Sequence, residues 1–179
     1  MSDLVNVTMT VNGAEVSRSI APRITLADFL RQTLELTGTH TGCEMGVCGA
    51  CLVLLDGQAA HACLMFAVQA DGRKIETIEG LNEGGKIEDI QRAFHNRNAL
   101  QCGFCTPGML ITAHELLCKG APLDREVIRD ALSGNYCRCT GYEAIVDAIE
   151  QVAHARAEAA GVDAQTDIER AAVALEPAL

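Results

Sequence analysis

Tryptophan is absent from this chain of 179 residues, and all aromatics together make up only 3% of it. A pocket built from this chain alone would have few large flat side chains with which to grip a substrate. Basic residues are scarce too. Against 24 Asp and Glu stand 14 Lys and Arg, for a net charge of −10. That balance argues against nucleic acid as a partner, since phosphate binding needs clustered Lys and Arg. Its plain consequence is solubility. The longest uncharged stretches are interrupted by His, Gln, Gly or Pro and fall short of a bilayer span. Met1-Ser2-Asp3-Leu4 has no basic region leading into an apolar run, so no secretory signal is expected. No G-x-G-x-x-G follows a strand and no Ser-His-Asp set can be placed, which leaves a dinucleotide fold and a hydrolytic triad unsupported.

What the chain does have is cysteine, nine in all. An odd count fits a disulfide framework poorly. Without a secretory signal, so many thiols point to a reducing, cytoplasmic compartment where they bind metal. The densest stretch is Gly42-Cys43-Glu44-Met45-Gly46-Val47-Cys48-Gly49-Ala50-Cys51. Its C-x4-C-x2-C spacing is the opening run of a plant-type [2Fe–2S] loop. Gly42, Gly46 and Gly49 suit a short loop that must wrap a cluster and bring N–H groups to sulfur. Cys63 is the next thiol available, after eleven intervening residues. Plant ferredoxins place their fourth ligand much farther along, so this is not a stand-alone plant ferredoxin by spacing. A second set follows, Cys102 and Cys105 at C-x2-C and Cys137 and Cys139 at C-x-C. From spacing alone this set suits zinc as well as iron and sulfur. Cys118 is left over and reads as a small buried apolar residue. His61 invites a Rieske-type reading that a full set of cysteines makes unnecessary. His40, His95, His114 and His154 form no ligand pattern.

The fold expected is α+β. Residues 4–11 alternate, with Val5, Val7, Met9 and Val11 on one side, and Asn12-Gly13 turns the chain into a second strand over 14–20. Thr25 caps a helix, with Asp28 as a box-like partner and Leu26, Phe29, Leu30 and Leu34 on one face, ending before Gly38. Leu52–Leu55, Asp56-Gly57 and Gln58–Ala62 make a second hairpin that returns Cys63 to the loop, and Lys74–Ile78 reads as a last strand. Near Gly80 the character changes. Gly84-Gly85 marks a linker, and the near match of Gly80–Lys86 to a phosphate loop is a chance one, with Ile87 where Ser or Thr should stand. Four helices are expected beyond it. Ile87, Ile90, Ala93 and Phe94 mark the first. Thr106 caps the second and Pro107 opens it. Asp124 caps the third, with Val127 and Ile128 inside. The fourth begins near Glu143. Both cysteine pairs of the second set precede helix N-termini, whose partial positive charge suits an anionic centre. The domains expected are 1–80, 81–157 and a tail over 158–179, with a weak amphipathic helix around Ile168–Leu175.

With both sets in view, the chain resembles the iron–sulfur subunit of the xanthine oxidase family of molybdenum hydroxylases, which includes the small subunits of carbon monoxide dehydrogenase and of aromatic N-heterocycle dehydrogenases. The resemblance runs from about Val5 to Ala153. It rests on the first cysteine loop, on Gln101-Cys102-Gly103-Phe104-Cys105-Thr106-Pro107-Gly108-Met109, and on Gly134-Asn135-Tyr136-Cys137-Arg138-Cys139-Thr140-Gly141-Tyr142. It implies a plant-type ferredoxin-like domain followed by an all-α four-helix-bundle domain, each with one [2Fe–2S] cluster. The ligands implied are Cys43, Cys48, Cys51 and Cys63 for one, and Cys102, Cys105, Cys137 and Cys139 for the other. It also implies a large partner carrying a molybdopterin-type molybdenum cofactor and a medium partner carrying FAD, as a heterotrimer or a dimer of heterotrimers. Gln101 and Cys139 match positions that approach the pterin. The function implied is an electron relay from molybdenum to flavin. A free-standing two-cluster ferredoxin and a zinc-stabilised binding module are the other classes. Arg138, between two ligands, is either a charge that raises its cluster's potential or a surface salt-bridge partner.

Overall fold

The computed structural model describes residues 4–120 and 123–159. The first hairpin forms as expected: β1 (Val5–Val11) pairs antiparallel with β2 (Ala14–Ile20). Asn12 and Gly13 turn it with φ of 51° and 82°, the left-handed pair a two-residue hairpin needs. Val7, Met9 and Val11 are buried, whereas Val5 is 41% exposed at the strand's start.

Thr25 caps the next helix: its Oγ1 accepts the Asp28 N–H at 3.0 Å. The helix is shorter than expected. α1 (Leu26–Asp28) widens into a π-turn over Phe29–Thr33, and the Leu34 N–H reaches back to the Phe29 carbonyl. The wide turn ends the helical path early while keeping Leu26, Phe29 and Leu30 buried.

β3 (Leu52–Leu55) and β4 (Gln58–His61) form the second hairpin around Asp56-Gly57. β5 (Lys74–Glu76) is shorter than the expected strand. The Asn12 side chain takes the Thr77 N–H at 2.9 Å and donates to the Thr77 hydroxyl at 3.0 Å, so pairing stops there. The sheet order is β2-β1-β5-β3-β4, mixed because β1 and β5 run parallel.

β3 explains how the two halves join. Its four apolar residues are all buried, and their period of two serves two cores. Val53 and Leu55, with Cys51, join Val7, Met9, Phe29, Leu30 and Ile75. Leu52 and Leu54 face the other way, into the core of Phe94, Met109, Ile111 and Ile149. A strand covered on both faces reads as an unbroken hydrophobic run.

Gly84-Gly85, expected as a linker, lies in the turn that closes α2 (Ile78–Glu83), a helix not expected there. Gly80 is a close-approach position, since a Cβ there would lie 2.3 Å from Asn12 Oδ1. The N–H groups of Leu81, Gly84, Gly85 and Lys86 are spent within this helix and turn, so the phosphate-loop spacing forms no anion cradle. The four expected helices follow: α3 (Glu88–Asn96), α4 (Thr106–Cys118), α5 (Arg125–Ala131) and α6 (Glu143–Ala159). Asp124 caps α5 through the Val127 N–H at 2.8 Å, but Val127 itself is 41% exposed and Ile128 takes the inner position. Arg156 ties α6 to α3 by two bonds to Asp89, at 2.7 and 2.9 Å. Arg125 ties α5 to α6 through Glu143, Asp147 and Glu150. No helix among the described residues is long and apolar enough to cross a membrane. The helix expected around Ile168–Leu175 lies outside the described residues.

Candidate metal centres

The first cysteine loop turns on left-handed residues: Glu44, Gly46 and Gly49 have φ of 54°, 74° and 70°. This geometry points N–H groups inward. Cys43 Sγ accepts from the Val47 and Cys48 N–H groups, both at 3.4 Å. Together with the Met45 N–H, the first cause, they hold the Cys43 thiol down at about 6. Gly42 is needed for space rather than for φ, because a Cβ there would meet Cys48 Sγ at 3.2 Å. Cys51 is 2% exposed at the foot of β3, and burial pushes its thiol up to about 12. The hairpin returns Cys63 beside Cys51, its neighbour Ala62 donating its N–H to the Cys51 carbonyl at 3.2 Å. The Cys48 N–H on Cys43 Sγ holds Cys48 beside Cys43.

The second set gathers the same way. α4 begins directly after Cys105, and the loop before α6 carries Cys137 and Cys139. Cys102 and Cys139 lie 3.7 Å apart, Sγ to Sγ. Cys137 lies near enough to Cys105 to act on its titration. Burial, and then Cys137, pushes the Cys105 thiol up to about 12. Cys102 raises that of Cys139. Cys137 goes the other way: burial raises it, but the Thr140 hydroxyl and N–H outweigh that and its thiol is lowered.

These thiols fit a dinuclear centre. An iron held tetrahedrally, with metal–sulfur bonds of about 2.3 Å, separates its two sulfurs by about 3.8 Å. Cys102 and Cys139, at 3.7 Å, are such a pair. The donor set, all thiols with inward N–H groups, suits an anionic iron–sulfur centre.

The two ligand loops touch. The Tyr136 N–H donates to the Cys48 carbonyl at 2.9 Å, joining a residue of the first set to the neighbour of Cys137. Gly108, in the first turn of α4, packs so close to Gly49 that a Cβ would lie 2.2 Å from the Gly49 carbonyl oxygen. His40 stacks on Phe104 at 4.7 Å between centroids, and its Nδ1 donates to the Phe104 carbonyl at 2.7 Å. Asn135, 3% exposed, accepts from the buried Thr112 hydroxyl at 2.9 Å.

Gln101 and Cys139 are also brought together, the Gln101 side-chain amide donating to the Cys139 carbonyl at 2.9 Å, both residues exposed. Thr106 does not cap α4. It is the first helical residue, Cys105 holds the cap position, and Thr106 Oγ1 is buried without a partner. Cys118 is exposed rather than buried, 3.6 Å from His114 Nε2 and apart from both sets. His114, Glu115 and Cys118 line a groove, while Leu116 and Leu117 of the same turn pack on the core. His61 Nδ1 lies 3.9 Å from Cys51 Sγ, beside the first set and not in it. Arg138 is exposed and pairs with no carboxylate among the described residues. Thr140, Tyr142, His40 and Asn135 are site residues that spacing did not reveal. Only Thr140, directly after C-x-C, carried a signal.

The chain is similar to known iron–sulfur proteins. Residues 9–77 match the family described as a 2Fe-2S iron-sulfur cluster binding domain, and residues 77–150 match the one described as a [2Fe-2S] binding domain. The caffeine dehydrogenase subunit gamma of Pseudomonas sp. strain CBB1 is 50% identical over 149 residues, 82% of this chain and 89% of that one. The xanthine dehydrogenase iron-sulfur-binding subunit of Escherichia coli O157:H7 is 41% identical over 150 residues, 83% and 94% of the two chains. A chain in the crystal structure of quinoline 2-oxidoreductase from Pseudomonas putida 86 superposes with a TM-score of 0.82 at 49% identity, over 89% of this chain and 99% of that one.

Proposed function

We infer that this chain carries electrons inside a larger oxidoreductase, because it belongs to the iron–sulfur subunits of the xanthine oxidase family of molybdenum hydroxylases. In this reading Cys43, Cys48, Cys51 and Cys63 hold one [2Fe–2S] cluster, and Cys102, Cys105, Cys137 and Cys139 hold the other. When bound, each cluster supplies a centre that takes and gives one electron at a time. The chain's own residues do the rest. Inward N–H groups at Cys43 and the Thr140 hydroxyl at Cys137 meet negative charge on sulfur. The β3 core keeps water from Cys51. The Tyr136–Cys48 hydrogen bond links the two sets through one short bridge, and that bridge is the observation that carries the relay.

The partners we propose are a large subunit with a molybdopterin-type molybdenum cofactor and a medium subunit with FAD, assembled as a heterotrimer or a dimer of heterotrimers in the cytoplasm. The exposed pair Gln101 and Cys139 faces the pterin in this proposal, so electrons enter at the helical half, over 81–157, and leave from the sheet half, over 1–80. Relatives named for caffeine, xanthine and quinoline share this module, which fits substrate selection in a partner rather than here. A free-standing ferredoxin is disfavoured by relatives that are themselves named as subunits.

The test is EPR at low temperature on the dithionite-reduced protein with spins counted. Two distinct S = ½ signals, together near two spins per chain, are expected. A colourless, silent sample with full metal occupancy would overturn the reading.

A further inference from the structure

Thr140 is the only residue, among those described, whose hydroxyl lies within hydrogen-bond reach of a thiol in either set: Thr140 Oγ1 is 3.0 Å from Cys137 Sγ. The Thr140 N–H points at the same sulfur, 3.4 Å away. A hydroxyl has one proton to give and lone pairs to receive. The Tyr142 N–H occupies the receiving side at 3.2 Å. As a cluster ligand Cys137 is a thiolate and can only accept, so the hydroxyl proton goes to its sulfur. Tyr142 also accepts the Cys137 N–H on its phenolic oxygen at 2.8 Å, so the turn closes on Cys137 from both ends. Gly141 and Tyr142 have φ of 70° and 69°. For an aromatic residue this left-handed backbone is uncommon, and it persists where the surroundings hold it.

We propose that Thr140 is a positioning residue that orients and polarises Cys137 and so sets the reduction potential of the second cluster, with Tyr142 locking Thr140 in place. This rests on the cluster reading above. Reduction adds negative charge that spreads onto the cysteine sulfurs. A hydrogen bond to sulfur stabilises that charge more in the reduced form than in the oxidised one, and raises the potential. The first set has no hydroxyl counterpart among the described residues: Cys43 is served by backbone N–H groups, and the side chain beside Cys51 is the imidazole of His61, with Nδ1 3.9 Å from Sγ.

The test is an EPR-monitored redox titration of the intact complex, wild type beside Thr140→Val and Thr140→Ser, with the second-cluster signal identified by its loss in Cys102→Ser. The valine variant keeps the shape and removes the hydroxyl. Its second-cluster midpoint falls while the first cluster's stays put, and the serine variant titrates like the wild type. Failure of the valine variant to hold the second cluster, with the serine variant holding it at the wild-type midpoint, supports the positioning role as well. An unshifted valine variant overturns the proposal, and so does a serine variant that shifts or loses its cluster as the valine one does. A wild-type complex without two [2Fe–2S] signals overturns the cluster reading itself.

Discussion

Gly108→Ala is the substitution that best probes how the two sites are held together. A Cβ at 108 would sit 2.2 Å from the Gly49 carbonyl oxygen, 3.1 Å from its carbon and 3.4 Å from the Ala50 Cα. All three are backbone atoms of the first ligand loop, so no flexible side chain can swing aside. Two effects compete. Alanine gains up to about 1 kcal/mol of helix propensity over glycine. Overpacking costs roughly 1–3 kcal/mol, and rigid backbone neighbours place this site at the upper end. The net loss expected is about 1–2 kcal/mol. At about 2–4 °C per kcal/mol for a chain of this size, the thermal midpoint falls by roughly 2–8 °C. Relieving the clash means moving α4 and the loop apart by about 1 Å, enough to stretch the 2.9 Å Tyr136–Cys48 hydrogen bond past its useful range. Thermal unfolding by circular dichroism reads the first effect, and spin–spin interaction between the reduced clusters reads the second. Gly57→Ala is the control: φ is +85° but nothing lies within 4 Å of its Cβ, so it costs about 1–2 kcal/mol of backbone strain and leaves the spin interaction alone. A Gly108→Ala protein as stable as wild type, with unchanged spin interaction, would refute the close approach.

Further outcomes follow from single contacts. A double-mutant cycle of His40→Ala and Phe104→Ala should return a coupling of about 1 kcal/mol from ring stacking alone, since the His40 hydrogen bond goes to the Phe104 main-chain carbonyl that alanine keeps, read in denaturant melts; additive effects would dismiss the stack. Thr112→Val leaves the buried Asn135 oxygen without its donor and should cost about 1–3 kcal/mol in the same melts. Asp89 is held below its ordinary 3.8, chiefly by its hydrogen bonds to Arg156. Its contribution is therefore present above that value and lost as pH falls through the folded one, so acid titration of stability should fall more steeply in wild type than in Asp89→Asn. Cys118→Ser should keep wild-type iron, whereas Cys63→Ser should lose the first cluster, both by iron analysis and EPR.

Much of this was legible because the determinants are local. Asn12-Gly13 and Asp56-Gly57 demand left-handed residues whatever lies around them, so both hairpins stand where their sequence puts them. The cysteine spacings are likewise properties of short segments. The misses have distant causes. The expected strand through Ile78 stops at Glu76 because Asn12, far away in sequence, captures Thr77. Cys118 follows two core leucines yet is exposed, because it falls on the groove side of α4 with His114 and Glu115 while Leu116 and Leu117 take the core side. Thr106 and Pro107 look like a helix start, but Cys105 occupies the cap position, drawn there by its place in the second site.

The same distance effect bears on what the two halves are. Gly49 reads as a cluster-wrapping glycine of the first loop, and its φ of 70° supports that. Yet a Cβ there would also meet the Gly134 carbonyl oxygen at 2.5 Å and Asn135 Nδ2 at 2.6 Å. A glycine in the first motif is therefore required by the backbone of the second. β3 shows the same dependence, with Leu52 and Leu54 packed into the helical core. Glu115 of α4 accepts the Ala59 N–H of β4 at 3.1 Å. A cut near residue 80 would bare these leucines, leave that N–H without its partner and break the Tyr136–Cys48 bridge at one stroke. The boundary between the two cluster motifs is thus not a boundary of independent stability. The spacing of the two centres is fixed by the same contacts that bury the core, so a chain that folds has already set the distance an electron must cross.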